Sequence, residues 1–247
     1  MQICSGQVAV RYAEGISHGF FRLRTSDGRP IADGESAQTA KDGIVTSKLT
    51  FRFKDGSLYE DTTTFSQRGN FRLLKNHVVQ KGPSFKDQME SIIDAKNGKV
   101  TVRYEKNGKQ EELEKAMELP ADLSNGLLFT LAKNLLNTSV TTVPYLALTP
   151  KPTLVKLVFT KQRAEKVKAG STLQPGACFL LKVEIGGVRG VVASLLKKTP
   201  PDTQIWIIDD GTPTFVASEG PLYGEGPVWK IDLVSPERIR PNPPESR

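Results

Sequence analysis

Two adjacent acids, Asp209 and Asp210, are the first candidates for chemistry in this chain of 247 residues. They follow the apolar run QIWII and precede Gly211, and Glu219 comes soon afterwards. Paired carboxylates catalyse acid–base reactions when both reach one substrate atom. Neighbouring residues of a strand point to opposite faces, and Asp-Gly favours a turn. We therefore predict a hairpin turn here, and keep a carboxylate-dependent enzyme that acts through Asp209, Asp210 or Glu219 as the alternative.

Other catalytic patterns are missing from the sequence. The histidines, His18 and His77, lie far apart without acids at metal-ligating spacing. No Gly-x-Ser-x-Gly elbow, Gly-x-Gly-x-x-Gly loop or Cys-x-x-Cys pair occurs. Cys4 and Cys178 could form one disulfide or stay two separate thiols. We expect no catalytic residues, no metal and no cofactor, which makes an enzyme the less favoured interpretation.

The charge of the chain is positive but dispersed. The net charge is +7 and the sequence pI is about 9.3, while hydrophobic residues make up 38% and charged residues 25%. This composition is typical of a folded globular domain. No apolar run approaches the ~20 residues that cross a bilayer, so we expect no transmembrane segment. Because lysines alternate with glutamates and no basic stripe with stacking aromatics is present, we expect no nucleic-acid partner.

Turn signals and two-residue periodicity dominate the pattern. Asp-Gly or Asn-Gly occurs eight times, and these dipeptides favour tight hairpins. In SKLTFRFK the apolar residues alternate with charged ones, as they do in KVTVRYE and WKIDLV. Val8, Val10 and Tyr12 predict a first strand in the same way. One-sided strands joined by short turns indicate an antiparallel meander whose apolar face must be covered.

The cover is a predicted amphipathic helix at residues 120–137. Leu123, Leu127, Leu131 and Leu135 recur every four residues, and Asp122 is suited to be the N-cap. The fold class is therefore mainly β (α+β): a curved antiparallel sheet, or open half-barrel, wrapped over one amphipathic helix. We expect a flexible N-terminus at 1–6, a single β-rich domain at 7–234 with a possible subdivision near 85 or 150, and a disordered tail at 235–247.

A curved sheet can enclose a ligand cavity, although close packing of its side chains is the usual state of protein interiors. Aromatic side chains are the candidates to line such a cavity and to bind a lipid or another apolar ligand. The alternative is that they fill a solid core. The candidate ligand-binding residues are Phe51, Phe53, Phe65, Tyr104, Phe129, Trp206 and Trp229.

Several segments together resemble a family of uncharacterised, exported, β-rich bacterial proteins that are known only as domains of unknown function. The resemblance covers most of residues 7–234 and is carried by RYAEGISHGFFRLRT, FRFKDGSLYEDTTTFSQRGNFRLL, QKGPSF, LPADLSNGLL, PPDTQIWI and SEGPLY. It implies a curved sheet over a helix, similar to that of lipoprotein carriers or lipocalins. The shared motifs are structural, so no catalytic residues are carried over.

The same resemblance implies a place for the protein. Such proteins usually carry a signal peptide, and the resemblance therefore implies the periplasm or cell envelope. No signal peptide is visible in this sequence, so we expect the cytoplasm if the start at Met1 is genuine. The predicted function is that of a non-enzymatic envelope protein whose curved sheet binds an apolar ligand or an envelope protein partner. The alternative is a carboxylate-dependent enzyme acting on an envelope polysaccharide.

Overall fold

The structure is a computed structural model. It describes residues 7–234 except 87, 107–108, 149–151, 163–164, 170–171, 185–199 and 225. The expected flexible start at 1–6, the expected disordered tail at 235–247 and Cys4 lie outside the described residues.

Within these ranges the chain forms fifteen strands and one short helix, α1. In chain order they are β1 Ser17–Thr25, β2 Pro30–Lys41, β3 Ile44–Phe53, β4 Leu58–Ser66, β5 Arg72–Lys81, β6 Met89–Asp94, β7 Lys99–Lys106, β8 Lys109–Ala116, α1 Leu128–Asn134, β9 Val140–Ala147, β10 Thr153–Lys161, β11 Glu165–Ala169, β12 Thr172–Glu184, β13 Thr203–Ile208, β14 Thr214–Pro221 and β15 Val228–Val234.

All strands belong to one sheet, and each described pairing is antiparallel. The order is β8-β7-β6-β5-β4-β3-β2-β1-β15-β14-β13-β12-β10-β9, and β11 pairs with β12. Most neighbours in the sheet are also neighbours in sequence, because tight turns join them. Between β2 and β3, Asp42 (φ 51°) and Gly43 (φ 72°) both take the positive φ that a two-residue hairpin requires. The predicted antiparallel fold is confirmed.

The predicted first strand at Val8, Val10 and Tyr12 is wrong. In this segment only Ala9 makes an isolated bridge, to Asn70. The backbone N–H groups of Arg11 and Tyr12 donate to Oδ1 of Asn134, at 2.9 and 2.8 Å. A side chain at the end of α1 therefore satisfies donors that a neighbouring strand would otherwise bind.

The helix is shorter than its leucine pattern predicts. Its N-cap is Leu127, without a side-chain cap, rather than Asp122. Gly126 takes φ 70°, which ends any helical path through residues 120–126. Nevertheless the four periodic leucines are all buried, because turns and α1 together carry them into the core. No helix of the described ranges has the length and apolar character of a membrane span.

The sheet curves so that its two halves pack against the same leucines. One cluster, the leucine core, joins side chains from β3–β7 and from β9, β10, β12 and β13 to Leu123, Leu127 and Leu131. A second, the aromatic cluster, lies where β1–β5 meet β15 and contains Phe51, Phe53, Tyr59, Phe85 and Trp229 among its buried residues. The curved sheet around one amphipathic segment agrees with the predicted architecture.

Candidate functional site

The predicted ligand-binding aromatics do not lie together. Phe51, Phe53 and Trp229 are buried in the aromatic cluster, where the ring centroids of Phe53 and Trp229 are 5.4 Å apart. Phe85 packs edge-on against Phe53 at 5.3 Å. Such spacing is that of rings in contact. This part of the inner face is therefore filled by its own side chains.

The other four predicted residues are dispersed. Phe65 is buried in the leucine core, and Trp206 packs beside a small separate cluster of Val167, Ile208 and Val216. Phe129 stacks on Phe215 with centroids 4.0 Å apart. The hydroxyl of Tyr104 donates to Oε2 of Glu111 at 2.7 Å. The seven side chains thus belong to, or pack against, three different hydrophobic clusters.

The predicted acids mark a turn. Asp209 and Asp210 are both exposed and lie in the connection between β13 and β14. Glu219 lies in β14, where it pairs with Lys230 at 3.4 Å. The three acids do not form a buried or convergent set, which agrees with the turn interpretation.

A buried polar cluster lies elsewhere, on the inner face of β4 and β5. Oδ1 of Asp61 accepts hydrogen bonds from the Thr63 hydroxyl at 2.8 Å and from Nδ2 of Asn76 at 2.7 Å. The same Asn76 nitrogen also donates to the Thr63 hydroxyl at 2.9 Å. Within the described part of the chain, Oδ2 of Asp61 has no hydrogen-bond donor. One carboxylate oxygen is held in place and the other remains available.

The acid–base properties of this region are coupled. Burial raises the pKa of Asp61 from 3.8 to about 6, although the hydrogen bonds from Thr63 and Asn76 and the nearby His77 act in the opposite direction. Burial, together with the charge of Asp61, raises the pKa of Tyr145 to about 12. Burial, Asp61 and Tyr145 raise the pKa of Tyr59 well above its usual value. Asp61 therefore lies close to tyrosines from two different parts of the sheet.

These groups are enclosed but not sealed. Although burial dominates the pKa values of Asp61 and Tyr145, both residues keep part of their surface open to solvent. Gly126, which is exposed, lies directly against Thr63 and Asn76. A Cβ there would overlap the Thr63 hydroxyl and approach Nδ2 of Asn76 to 2.8 Å. Asp61, Thr63, Asn76, Gly126 and Tyr145 therefore lie together at a partly exposed position of the inner face, which we call the cleft.

The segment before α1 fixes the position of β9, the terminal strand of the sheet. The N–H and hydroxyl of Ser124 donate to the carbonyl of Pro144 at 2.9 and 2.7 Å. The Asn125 amide donates to the carbonyl of Leu146 at 2.9 Å and accepts from its N–H at 2.8 Å. These bonds cover an otherwise open strand edge and hold Tyr145 beside the cleft.

The inner face continues from the cleft towards β8. Asp61 pairs across the strands with Val78, and Val78 pairs with Ser91. The Ser91 hydroxyl is buried without a hydrogen-bond partner among the described residues. The polar surface of the inner face therefore extends from Asp61 to the Ser91 hydroxyl. Partly exposed apolar residues that pack against the leucine core include Met89, Met117, Leu119, Phe129, Leu148, Leu154 and Val183.

Two surface hollows are smaller than a usual ligand pocket. One, of about 200 Å³, lies beside Pro120, Pro144 and Leu154. The other, of about 270 Å³, lies beside Arg68 and Asn70. Pockets for small molecules usually measure about 300–1,000 Å³. Neither hollow includes Asp61, and we take the cleft as the candidate site because it contains the carboxyl with the perturbed pKa.

Sequence reasoning missed Asp61, although a signal was present. In YEDTTTF, Tyr59, Asp61, Thr63 and Phe65 occupy alternate positions. If Phe65 faces the core, period two places Asp61 on the same inner face. An acid on the apolar side of a strand was the feature to follow.

Comparisons with known proteins leave the family open. No protein-family model and no curated protein matches the chain. Among solved structures, a beta-barrel-like protein of the domain of unknown function DUF1849 from Brucella abortus is similar, with a TM-score of 0.45 and 10% sequence identity. The alignment covers 90% of this chain and 97% of that one. At this distance the likeness assigns no function.

Proposed function

We propose that the protein is a non-enzymatic binding protein of the cell envelope that holds an apolar ligand on the inner face of its curved sheet, with one end of the ligand in the cleft. The envelope location rests on the resemblance of the sequence to exported proteins. The binding role rests on one observation: Asp61 is placed among core side chains and still reaches solvent.

A buried carboxyl destabilises a fold when it ionises without a cationic partner. No ion pair to Asp61 occurs among the described residues. Groups whose pKa values are strongly perturbed cluster at functional sites, which supports binding at this position. Apolar side chains that pack against the leucine core and remain partly exposed, such as Met89 and Phe129, offer a surface for a hydrocarbon chain.

An enzymatic role has less support. Acid–base catalysis by carboxylates usually needs two groups in one groove. No second carboxyl of the described residues is among the groups that perturb the pKa of Asp61. A single acid with its Oδ1 held by two neutral donors is better suited to recognising a ligand than to moving a proton.

The proposal is tested by isothermal titration calorimetry with decanol, an uncharged ten-carbon chain. We expect one molecule to bind per chain. Ser91→Met adds bulk at a fully buried position of the inner face and should weaken binding at least about tenfold, because overpacking there shifts the side chains that the proposal places against decanol. Thr62→Met is the matched control, because Thr62 lies on the opposite face of β4.

Comparable melting temperatures of the two variants would show that both are folded. Absence of decanol binding by the unchanged protein would refute the proposal. Equal affinity in Ser91→Met and Thr62→Met would place any binding outside the inner face.

A further inference from the structure

We infer that the cleft selects ligands whose polar end is a cationic hydrogen-bond donor, such as an alkylammonium group, over ligands that end in a carboxylate. This inference rests on the proposed function and adds the chemical class of the ligand. Its geometric basis is the partly exposed Asp61, whose Oδ1 is fixed by two donors and whose Oδ2 accepts no hydrogen bond from the described residues.

The arrangement of Asp61 has the form of an acceptor site. Two donors, Thr63 and Asn76, hold Oδ1 at 2.8 and 2.7 Å. Their bonds fix the plane of the carboxyl, and Oδ2 has no donor among the described residues. An ionised carboxylate is acceptor-only, so a ligand must bring the hydrogen. An ammonium group supplies both the hydrogen and the opposite charge.

The charges around Asp61 favour a cation. On β4 and β9 the titratable neighbours are Tyr59 and Tyr145, both held in the neutral form because their pKa values are raised. On β5 the neighbour is His77, whose Nε2 is bonded to Oε1 of Glu90 at 2.8 Å. From α1 and the segment before it, the residues at the cleft are the uncharged Asn125 and Gly126. No lysine or arginine of the described residues is paired with Asp61.

This selection runs against the net charge of the chain. A surface with a net charge of +7 attracts anions, so general electrostatics would favour decanoate over decylammonium. A preference for the amine would therefore have to come from a local group. The fixed carboxylate of Asp61 is the group that the cleft offers.

The test compares three ligands of equal chain length, namely decylammonium, decanol and decanoate, by calorimetry at pH 8 and below their aggregation concentrations. We expect decylammonium to bind at least about tenfold more tightly than decanol, because a hydrogen bond to a charged group is the stronger kind. Decanoate should bind most weakly. In Asp61→Asn the amine should lose its advantage while decanol affinity stays within about twofold, and Asp210→Asn should behave as the unchanged protein.

A second measurement needs no variant. At pH 5 the Asp61 carboxyl is mostly protonated, so the advantage of decylammonium over decanol should shrink by several fold. If decanoate binds as tightly as decylammonium, or if the advantage survives in Asp61→Asn, the inference fails and the proposed function stands. If none of the three ligands binds, both fail.

Discussion

The aromatic cluster and the cleft lie on the same inner face of the sheet and meet at Tyr59, yet they are built in opposite ways. In the cluster, Phe53, Phe85 and Trp229 contact one another and are buried. In the cleft, Asp61 and Tyr145 keep some accessible surface, and Asp61 is hydrogen-bonded to polar side chains. The difference teaches that aromatic density marks where this sheet is stabilised, whereas an acid on the inner face marks where it remains open.

The largest effect is expected in the aromatic cluster. Trp229→Ala removes a buried ring that packs against Phe53 and Phe85, and should lower the free energy of unfolding by about 3–5 kcal/mol. Urea denaturation measures this loss. Under conditions where the variant is folded, its affinity for decanol should be unchanged. A folded variant that has lost decanol binding would show that the cluster, and not the cleft, is the ligand site.

Gly126→Ala should have the next largest effect. The position has φ 70°, and a Cβ would overlap the Thr63 hydroxyl. We expect a loss of about 2–4 kcal/mol in the free energy of unfolding, from the left-handed backbone and from overpacking together. Gly56→Ala is the matched control, since it has φ 85° but no atom near its Cβ. Equal losses in the two variants would mean that Gly126 does not lie against the polar cluster.

Asp61→Asn should alter the pH dependence of stability. The carboxyl has a pKa of about 6 in the fold and 3.8 as its ordinary value, so between these pH values the folded chain holds the proton more tightly. The unchanged protein therefore loses stability as pH rises from about 4 to about 6. We expect the variant to be more stable by about 2–3 kcal/mol at pH 8, and similar at pH 4.

Urea denaturation at pH 4 and pH 8 measures this difference, with Asp210→Asn as the control for removal of an exposed acid. A stability of Asp61→Asn that is equal to or below that of the unchanged protein at pH 8 would show that the carboxyl is compensated by a partner. The cleft would then not contain an unpaired acid.

The smallest effect is expected at the remaining acids. Glu219→Gln removes a half-exposed ion pair to Lys230 at 3.4 Å, and should change the free energy of unfolding by less than about 0.5 kcal/mol. The double variant Asp209→Asn, Asp210→Asn should leave decanol affinity unchanged. A marked loss of decanol binding in the double variant would indicate that the β13–β14 turn is part of the ligand site.

Much of the fold could be predicted from local pattern. The Asp-Gly and Asn-Gly pairs and the alternation in SKLTFRFK predict antiparallel strands, because both signals lie within a few neighbouring residues. Asp33–Gly34 is an exception, since it lies inside β2 and not in a turn. The burial of Leu127 and Leu131 followed from their spacing. The short helix did not, since Asn125 is held by Leu146, a contact between residues distant in sequence.

The site was harder to predict, because it depends on which strands face each other. The aromatics Phe51, Phe53 and Trp229 were correctly placed on inward faces, but sequence alone could not show that they fill their own space. The effect of Asp61 on the pKa of Tyr145 joins β4 and β9, which are not neighbours in the sheet or in the sequence. The two-residue period could have placed Asp61 on the inner face. That its Oδ2 accepts no hydrogen bond from the described residues could be seen only in the tertiary structure.

The most direct test of the central claim, that the cleft is the ligand site, is to map binding by NMR. Backbone and side-chain amide signals would be recorded during titration with decylammonium. We predict the largest shifts at Gly126, Tyr145 and the side-chain amide of Asn76, with little change at Trp229. Largest shifts at Trp229 and Phe85, or no saturable shifts at all, would contradict the account.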